Sequence, residues 1–143
     1  MSPKVSLITG ILGQDGPYLA QLLLGKDYKV YGLTKPYSDP DFYNTNYLGV
    51  TENIEFIQSD MTDEMSLIKL IKTIKPDEVY NLAARSAVRL SWDQARSTTE
   101  TNALGVLNLL NAIRLFSPVT KFYQGSTSEM FGNANRNGVQ DES

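Results

Sequence analysis

The 143 residues include no cysteine, no histidine and a single tryptophan. Without cysteine there is no disulfide, no thiolate nucleophile and no cysteine-ligated metal. Without histidine, acid–base chemistry falls to Asp, Glu, Tyr or Lys, each with a pKa set by its surroundings. Positive charge is also scarce: the net charge of −3 offers no cationic footprint for nucleic acid or an anionic membrane. Long apolar runs are missing. The opening "MSPKVSLITG" has one lysine before a very short apolar stretch, too short for a signal peptide's apolar region or a membrane span. These absences lead us to expect a cytoplasmic protein with no metal site and no nucleic-acid or membrane partner.

What is present is an alternation of strand-like and helix-like segments. "KVSLITG" is a β-branched run ending in glycine, and "DGPYLAQLLLGK" follows with Leu19, Leu22 and Leu23 at helical spacing. "YKVYGL" reads as a second strand, and "TKPYSDPDFYNTNYLGVTE" as a long loop rich in Pro, Asp and Asn. "NIEFIQSD" reads as a third strand. "DEMSLIKLIKTIK" is an amphipathic helix, with Met65, Ile68, Ile71 and Ile74 expected near its buried face. "PDEVYNLAA" is a fourth strand, opened by a proline suited to a strand start. A helix is expected from about Asp93 to Phe116, with Leu104, Leu107, Leu110 and Ile113 as its buried stripe and small Ala103 and Gly105 allowing close approach to the sheet. "VTKFYQG" is the fifth strand, and "NANRNGVQDES" after Gly132 is loop chemistry.

Such alternation specifies an α/β protein: a doubly wound parallel sheet with helices on both faces. The Rossmann-type order is 3-2-1-4-5, here truncated after about the fifth strand, which becomes an exposed edge. We expect residues 1–143 to form one dinucleotide-binding domain, the N-terminal part of a longer enzyme, with the substrate domain absent.

At the first strand–helix junction, "TGILGQDG" places Gly10, Gly13 and Gly16 at spacing G-x-x-G-x-x-G, with Gln14 and Asp15 inside the loop. There a tight turn lets the backbone approach a pyrophosphate, which the helix N-terminus then stabilises. A plain turn with three glycines is the bland alternative; the location favours dinucleotide binding. NAD sites carry an acid at the end of strand 2, whereas a basic residue there suits the extra phosphate of NADP. Leu33 and Thr34 supply no acid and Lys35 is the first charge, so NADP is favoured over NAD, although a solvated loop lysine is also common.

Ligands in open α/β sheets sit beyond the strands' carboxyl ends. Asp60 ends strand 3 and can accept from an adenine amino group, with Met61 beside the ring, provided that Thr62 or Asp63 caps the next helix. "NLAA" ends strand 4, where small Ala83 and Ala84 suit either a close cofactor or close helix packing. "GSTSE" ends strand 5 and reads either as a helix cap with a capping-box glutamate or as half of an active site.

"TGILGQDGPYLAQLLL", "DMTD", "PDEVYNLAA" and "KFYQGSTSEMFG" together resemble the extended short-chain dehydrogenase/reductase family and, within it, the GDP-mannose 4,6-dehydratase family. The resemblance runs along nearly the whole chain and matches the cofactor-binding part of such enzymes. It implies NADP-dependent dehydration of a nucleotide sugar: hydride leaves C4, a carboxylate removes the acidified C5 proton, water leaves from C6, and hydride returns to C6. By that resemblance Thr127 hydrogen-bonds near the C4 hydroxyl, Glu129 is the C5 base, and Ser128 stands where related dehydratases carry an acid. Cofactor contacts carry over to Gly10 through Gly16, Asp60, Met61, and Leu82, Ala83, Ala84, Arg85 and Ser86. Ser97 replaces a cofactor-side tyrosine. A nucleotide-sugar substrate and a homo-oligomeric full-length parent are implied as well.

Departures are specific. Lys35 and Pro36 stand for the family's arginine pair, and "AARSAV" for "AAQSHV", so Arg85 and Ala87 replace Gln and His. The family's Tyr-x-x-x-Lys pair has no counterpart: no tyrosine follows Tyr123 and no lysine follows Lys121. The chain alone is therefore expected to be inactive. A 4-reductase or epimerase of the same family remains an alternative, as does a non-catalytic dinucleotide-binding module.

Overall fold

The computed structural model describes residues 2–132, except for the side chain of Glu129. Five parallel strands form one sheet in the order β3-β2-β1-β4-β5, the order expected from the sequence. They are β1 (Val5–Thr9), β2 (Lys29–Thr34), β3 (Ile54–Gln58), β4 (Glu78–Asn81) and β5 (Lys121–Gln124). The helices are α1 (Asp15–Leu24), α2 (Tyr43–Tyr47), α3 (Glu64–Ile74), α4 (Val88–Asp93), α5 (Ala95–Thr99) and α6 (Gly105–Phe116).

The period-2 alternation of β1 sends its side chains into two cores. Leu7 joins Leu67, Leu70 and Ile71 of α3, Val79 of β4, and Leu109, Ala112 and Ile113 of α6. Ile8 joins Ile11, Ala20 and Leu23 of α1, Val30 of β2, Val50 and Ile54. Helices thus cover both faces, which makes the sheet doubly wound. Leu7, Ile8, Leu67, Ile71 and Leu109 are fully buried, and each such side chain contributes roughly 1.5–3 kcal/mol of burial. Among the described residues β5 pairs only with β4, and Tyr123 is exposed on it, as an edge strand requires.

Several helical expectations need correction. In α3 the buried residues are Leu67, Leu70 and Ile71, while Met65 is exposed. In α6 they are Gly105, Leu109, Ala112 and Ile113, and Leu104, Leu107 and Leu110 face outward. A helix advances 3.6 residues per turn, so a string of strict three-residue steps drifts off the buried stripe. Leu22 of α1 is exposed for a related reason: Gly16, Pro17, Ala20 and Leu23 define the inner face. A further correction concerns the expected helix Asp93–Phe116. It is α5, a π-helical turn Glu100–Leu104 and α6 in sequence, preceded by the separate α4. The break falls at Gln94, whose backbone (φ −123, ψ 40) leaves the helical region. Gly105 does permit close approach, but to Met61: a Cβ there would lie 2.9 Å from Met61 Cβ. Ala103 is exposed. The long loop after β2 holds α2 and a 3₁₀ turn, Thr51–Asn53. The loop expected after Gly132 lies outside the described residues. No helix among the described residues is long and apolar enough to cross a membrane.

Candidate functional site

The carboxyl ends of the strands open into a cleft of about 780 Å³. Its floor begins with the glycine turn. Gly10 has φ +69, and a Cβ there would sit 2.8 Å from the Ala83 nitrogen and from the Leu82 carbonyl carbon and oxygen. Both the left-handed backbone and the contact with the end of β4 therefore require glycine. Gly13 N–H donates to Gly10 O at 2.9 Å and closes the turn. A Cβ on Gly16 would lie 2.7 Å from Gly10 O and Ile11 Cα, so this glycine lets α1 start directly on the turn. Gln14 caps α1 without a side-chain hydrogen bond. The first amides of α1 are thus not occupied by a capping side chain at the place where such amides hold anions.

The cofactor-side residues singled out from the sequence line this cleft, except Ile11, which is buried in the core: Gly10, Gly13, Gln14, Asp15 and Gly16 on the turn, Lys35 after β2, Asp60 and Met61 after β3, Leu82 through Ser86 after β4, and Ser97 on α5. Lys35 shares its rim with Ser38, Asp39 and Asp41, and the Ser38 hydroxyl donates to Lys35 O at 3.1 Å. The cap of α3 is Asp63, which accepts from Ser66 N at 3.1 Å, one of the two positions expected. Asp60 is nonetheless not wholly free, because its Oδ1 accepts from Thr62 N (2.8 Å) and Thr62 Oγ1 (2.9 Å). Met61 is buried against Leu7 and Leu109.

The segment after β4 is held from behind. Arg85 N donates to Asn102 Oδ1 at 2.8 Å and Asn102 Nδ2 donates to Arg85 O at 3.1 Å, so one asparagine in the π-helical turn clamps both backbone groups. The Arg85 guanidinium donates to Ser97 Oγ and Gln94 Oε1. After β5 the chain turns through Ser126, at φ 56, and enters a 3₁₀ turn, Ser128–Phe131. Thr127 and Ser128 are exposed and follow directly on cleft-lining Gly125 and Ser126. The segment is therefore a 3₁₀ turn rather than an α-helix. The side chain of Glu129 lies outside the described residues.

Three polar residues important to this floor went unnoticed in the sequence. Thr9, Asn81 and Gln124 are register partners in one row across β1, β4 and β5. Ala83 N donates to Thr9 Oγ1 at 3.0 Å, Thr9 Oγ1 donates to Asn81 Oδ1, and Asn81 Nδ2 donates to Gln124 Oε1 at 2.8 Å. The available signal was polar residues ending otherwise apolar strands, in "SLIT" and "EVYN". Thr9 and Asn81 are almost fully buried, and buried polar groups call for partners.

The 3-2-1-4-5 parallel sheet, with a glycine turn at the switch between β1 and β4, defines a Rossmann-type α/β protein. The model of the GDP-mannose 4,6 dehydratase family matches residues 7–143, and the chain belongs to that family. A GDP-mannose 4,6 dehydratase 2 of Caenorhabditis elegans is 49% identical over 139 residues, covering 90% of this chain and 36% of that protein. The GDP-mannose 4,6 dehydratase of Homo sapiens is 40% identical over 137 residues, covering 90% of this chain and 37% of that protein. The chain thus spans little more than a third of the length of these relatives. Among solved structures, a Bordetella bronchiseptica enzyme in complex with NAD+ is 28% identical with a TM-score of 0.74, covering 90% of this chain and 40% of that one. A UDP-glucose 4-epimerase of Thermotoga maritima with UDP-glucose is 26% identical with a TM-score of 0.75, covering 86% and 38%.

Proposed function

We propose that this chain forms the dinucleotide-binding part of a nucleotide-sugar 4,6-dehydratase acting on GDP-mannose. The observation that carries the reading is the glycine turn packed against Leu82 and Ala83, which leaves no room for side chains beside the start of α1. It belongs to a chain matched by the dehydratase family over residues 7–143. The pyrophosphate would rest on the Gly10–Gly16 turn, and Asp60, at the cleft, would accept from the adenine amino group. NADP is preferred to NAD because Lys35 follows β2, with no acid at Leu33 or Thr34. When bound, the nicotinamide would take hydride from sugar C4 and return it at C6. This chain's own residues would supply part of the rest: the Thr127 hydroxyl hydrogen-bonds at the C4 oxygen, Ser128 stands beside it, and Glu129 removes the C5 proton, whereas the tyrosine–lysine pair that would take the C4 hydroxyl proton has no counterpart in this sequence. A carboxylate suits that step because a ketone at C4 acidifies C5, and a partly dry site raises a glutamate's basicity.

The test is to incubate the protein at its full natural length with GDP-mannose and NADP and to look for GDP-4-keto-6-deoxymannose. No product, with NADP bound, sinks the dehydratase reading. An epimerase reading draws on the UDP-glucose 4-epimerase neighbour. Solvent deuterium at C5 separates the two, since 4-epimerisation leaves the C5 hydrogen in place.

A further inference from the structure

We infer that Gln124 is a positioning residue whose amide N–H₂ donates to a hydrogen-bond acceptor on the nicotinamide half of the dinucleotide. This rests on the dinucleotide reading above and adds a residue and a direction to it.

The argument begins with the one donor whose sense is fixed. The Ala83 amide can only donate, and it does so to Thr9 Oγ1 at 3.0 Å. Thr9 is fully buried, so its own hydroxyl hydrogen needs an acceptor. Asn81 is the neighbour that can supply one, and it does so only with Oδ1 turned toward Thr9. The opposite end of the Asn81 amide is then Nδ2, a donor, which gives its hydrogen to Gln124 Oε1 at 2.8 Å. With Oε1 engaged, the Gln124 amide must direct Nε2 away from Asn81. Gln124 is exposed and lines the cleft. A backbone amide just after β4 thereby sets which end of a glutamine on β5 faces the ligand.

The position selects the half of the ligand. In this sheet a dinucleotide crosses the switch point between β1 and β4, with its pyrophosphate on the α1 turn and its adenosine beyond β2. The nicotinamide half would then lie over β4 and β5, where Gln124 ends the strand.

Gln124→Glu is the informative variant. The carboxylate still accepts from Asn81 Nδ2, so the row is kept, but the donor at the cleft is replaced by an anion. Calorimetric titration of the full-length protein with NADP, and separately with NAD, should show affinity reduced about fivefold or more relative to the parent. Adenosine 2′,5′-bisphosphate and ADP, which lack the nicotinamide half, should bind both proteins equally. Gln124→Met, which removes the cleft donor without adding charge but also removes the acceptor for Asn81 Nδ2, should weaken the dinucleotide while leaving the adenine-half probes unchanged. Unchanged dinucleotide affinity in Gln124→Glu overturns the inference while leaving the dinucleotide site intact. Equal weakening of the dinucleotide and of the adenine-half probes also overturns it, since that marks a structural defect. A parent protein that binds no dinucleotide overturns both this inference and the reading beneath it.

Discussion

β4 carries two polar networks three residues apart, and they are built differently. At its amino end Glu78 accepts from Tyr80 Oη (2.7 Å) and Tyr28 Oη (3.2 Å) and pairs with Lys4 at 3.6 Å. At its carboxyl end Asn81 joins Thr9 and Gln124 through neutral groups only. The odd spacing sends the two side chains to opposite faces of the sheet. Lys4 is 58% exposed at its side chain, so the charged cluster sits at the solvent edge, whereas Asn81 is 1% exposed. A charge is inexpensive where water reaches it and costly where it does not. The buried end, beneath the ligand cleft, uses hydroxyl and amide groups that can be fully satisfied without ionisation. That gives fixed donor directions with no local field to disturb an anionic ligand.

The contrast can be broken most severely from the cleft side. Gly10→Ala combines a left-handed backbone with a Cβ 2.8 Å from the Leu82–Ala83 peptide. It should destabilise the protein by about 2–4 kcal/mol in urea unfolding and abolish dinucleotide binding. A loss under about 0.5 kcal/mol would mean that the turn can move away from β4. Asn81→Leu comes next, at about 1–3 kcal/mol, because it orphans the Thr9 hydroxyl inside the protein. Equal costs for Asn81→Leu and Glu78→Gln would erase the proposed difference between the two ends.

Glu78→Gln should cost under about 1 kcal/mol at neutral pH, since water screens Lys4. Its clearer signature is pH dependence. The Tyr80 hydroxyl, then Tyr28 and the lysines, hold the Glu78 carboxyl below its ordinary 4.5. Its contribution is present above 4.5 and is lost as the pH falls through the lower folded value. Burial, followed by the hydrogen bond to Glu78, pushes Tyr80 from 10 up to about 12. That contribution is complete below 10 and fades between 10 and about 12. Urea midpoints should flatten across the acid range in Glu78→Gln and only partly across the alkaline range, where the burial of Tyr80 persists; an unchanged acid slope would remove Glu78 from the account. The smallest effect should come from Ser126→Gly: relief of the positive φ is offset by a floppier unfolded chain, leaving a change within about 1 kcal/mol.

The sheet was readable from the chain because parallel strands buried on both faces are apolar runs, and each run here is followed by a helical or loop segment. Strand order followed from the alternation and the glycine turn. The faces of α3 and α6 were not readable by counting steps of three, since Leu104, Leu107 and Leu110 satisfy that count and still face outward. Which leucine is buried depends on where α3 and α6 meet beneath the sheet. The Asn102 clamp on Arg85 joins residues 17 apart, and nothing local signals it.

The sequence by itself determined the α/β class, the glycine turn at the first crossover and the polar residues that end β1, β4 and β5, because each is a matter of local pattern and backbone geometry. Only the tertiary structure decided that Thr9, Asn81 and Gln124 form one row, although Thr9 and Asn81 are 72 residues apart and Asn81 and Gln124 are 43 apart. Register between parallel strands is set by the packing of α1, α3 and α6 on the two faces. Hydrogen-bond direction follows from register, since an amide can be oriented only by the neighbours brought beside it.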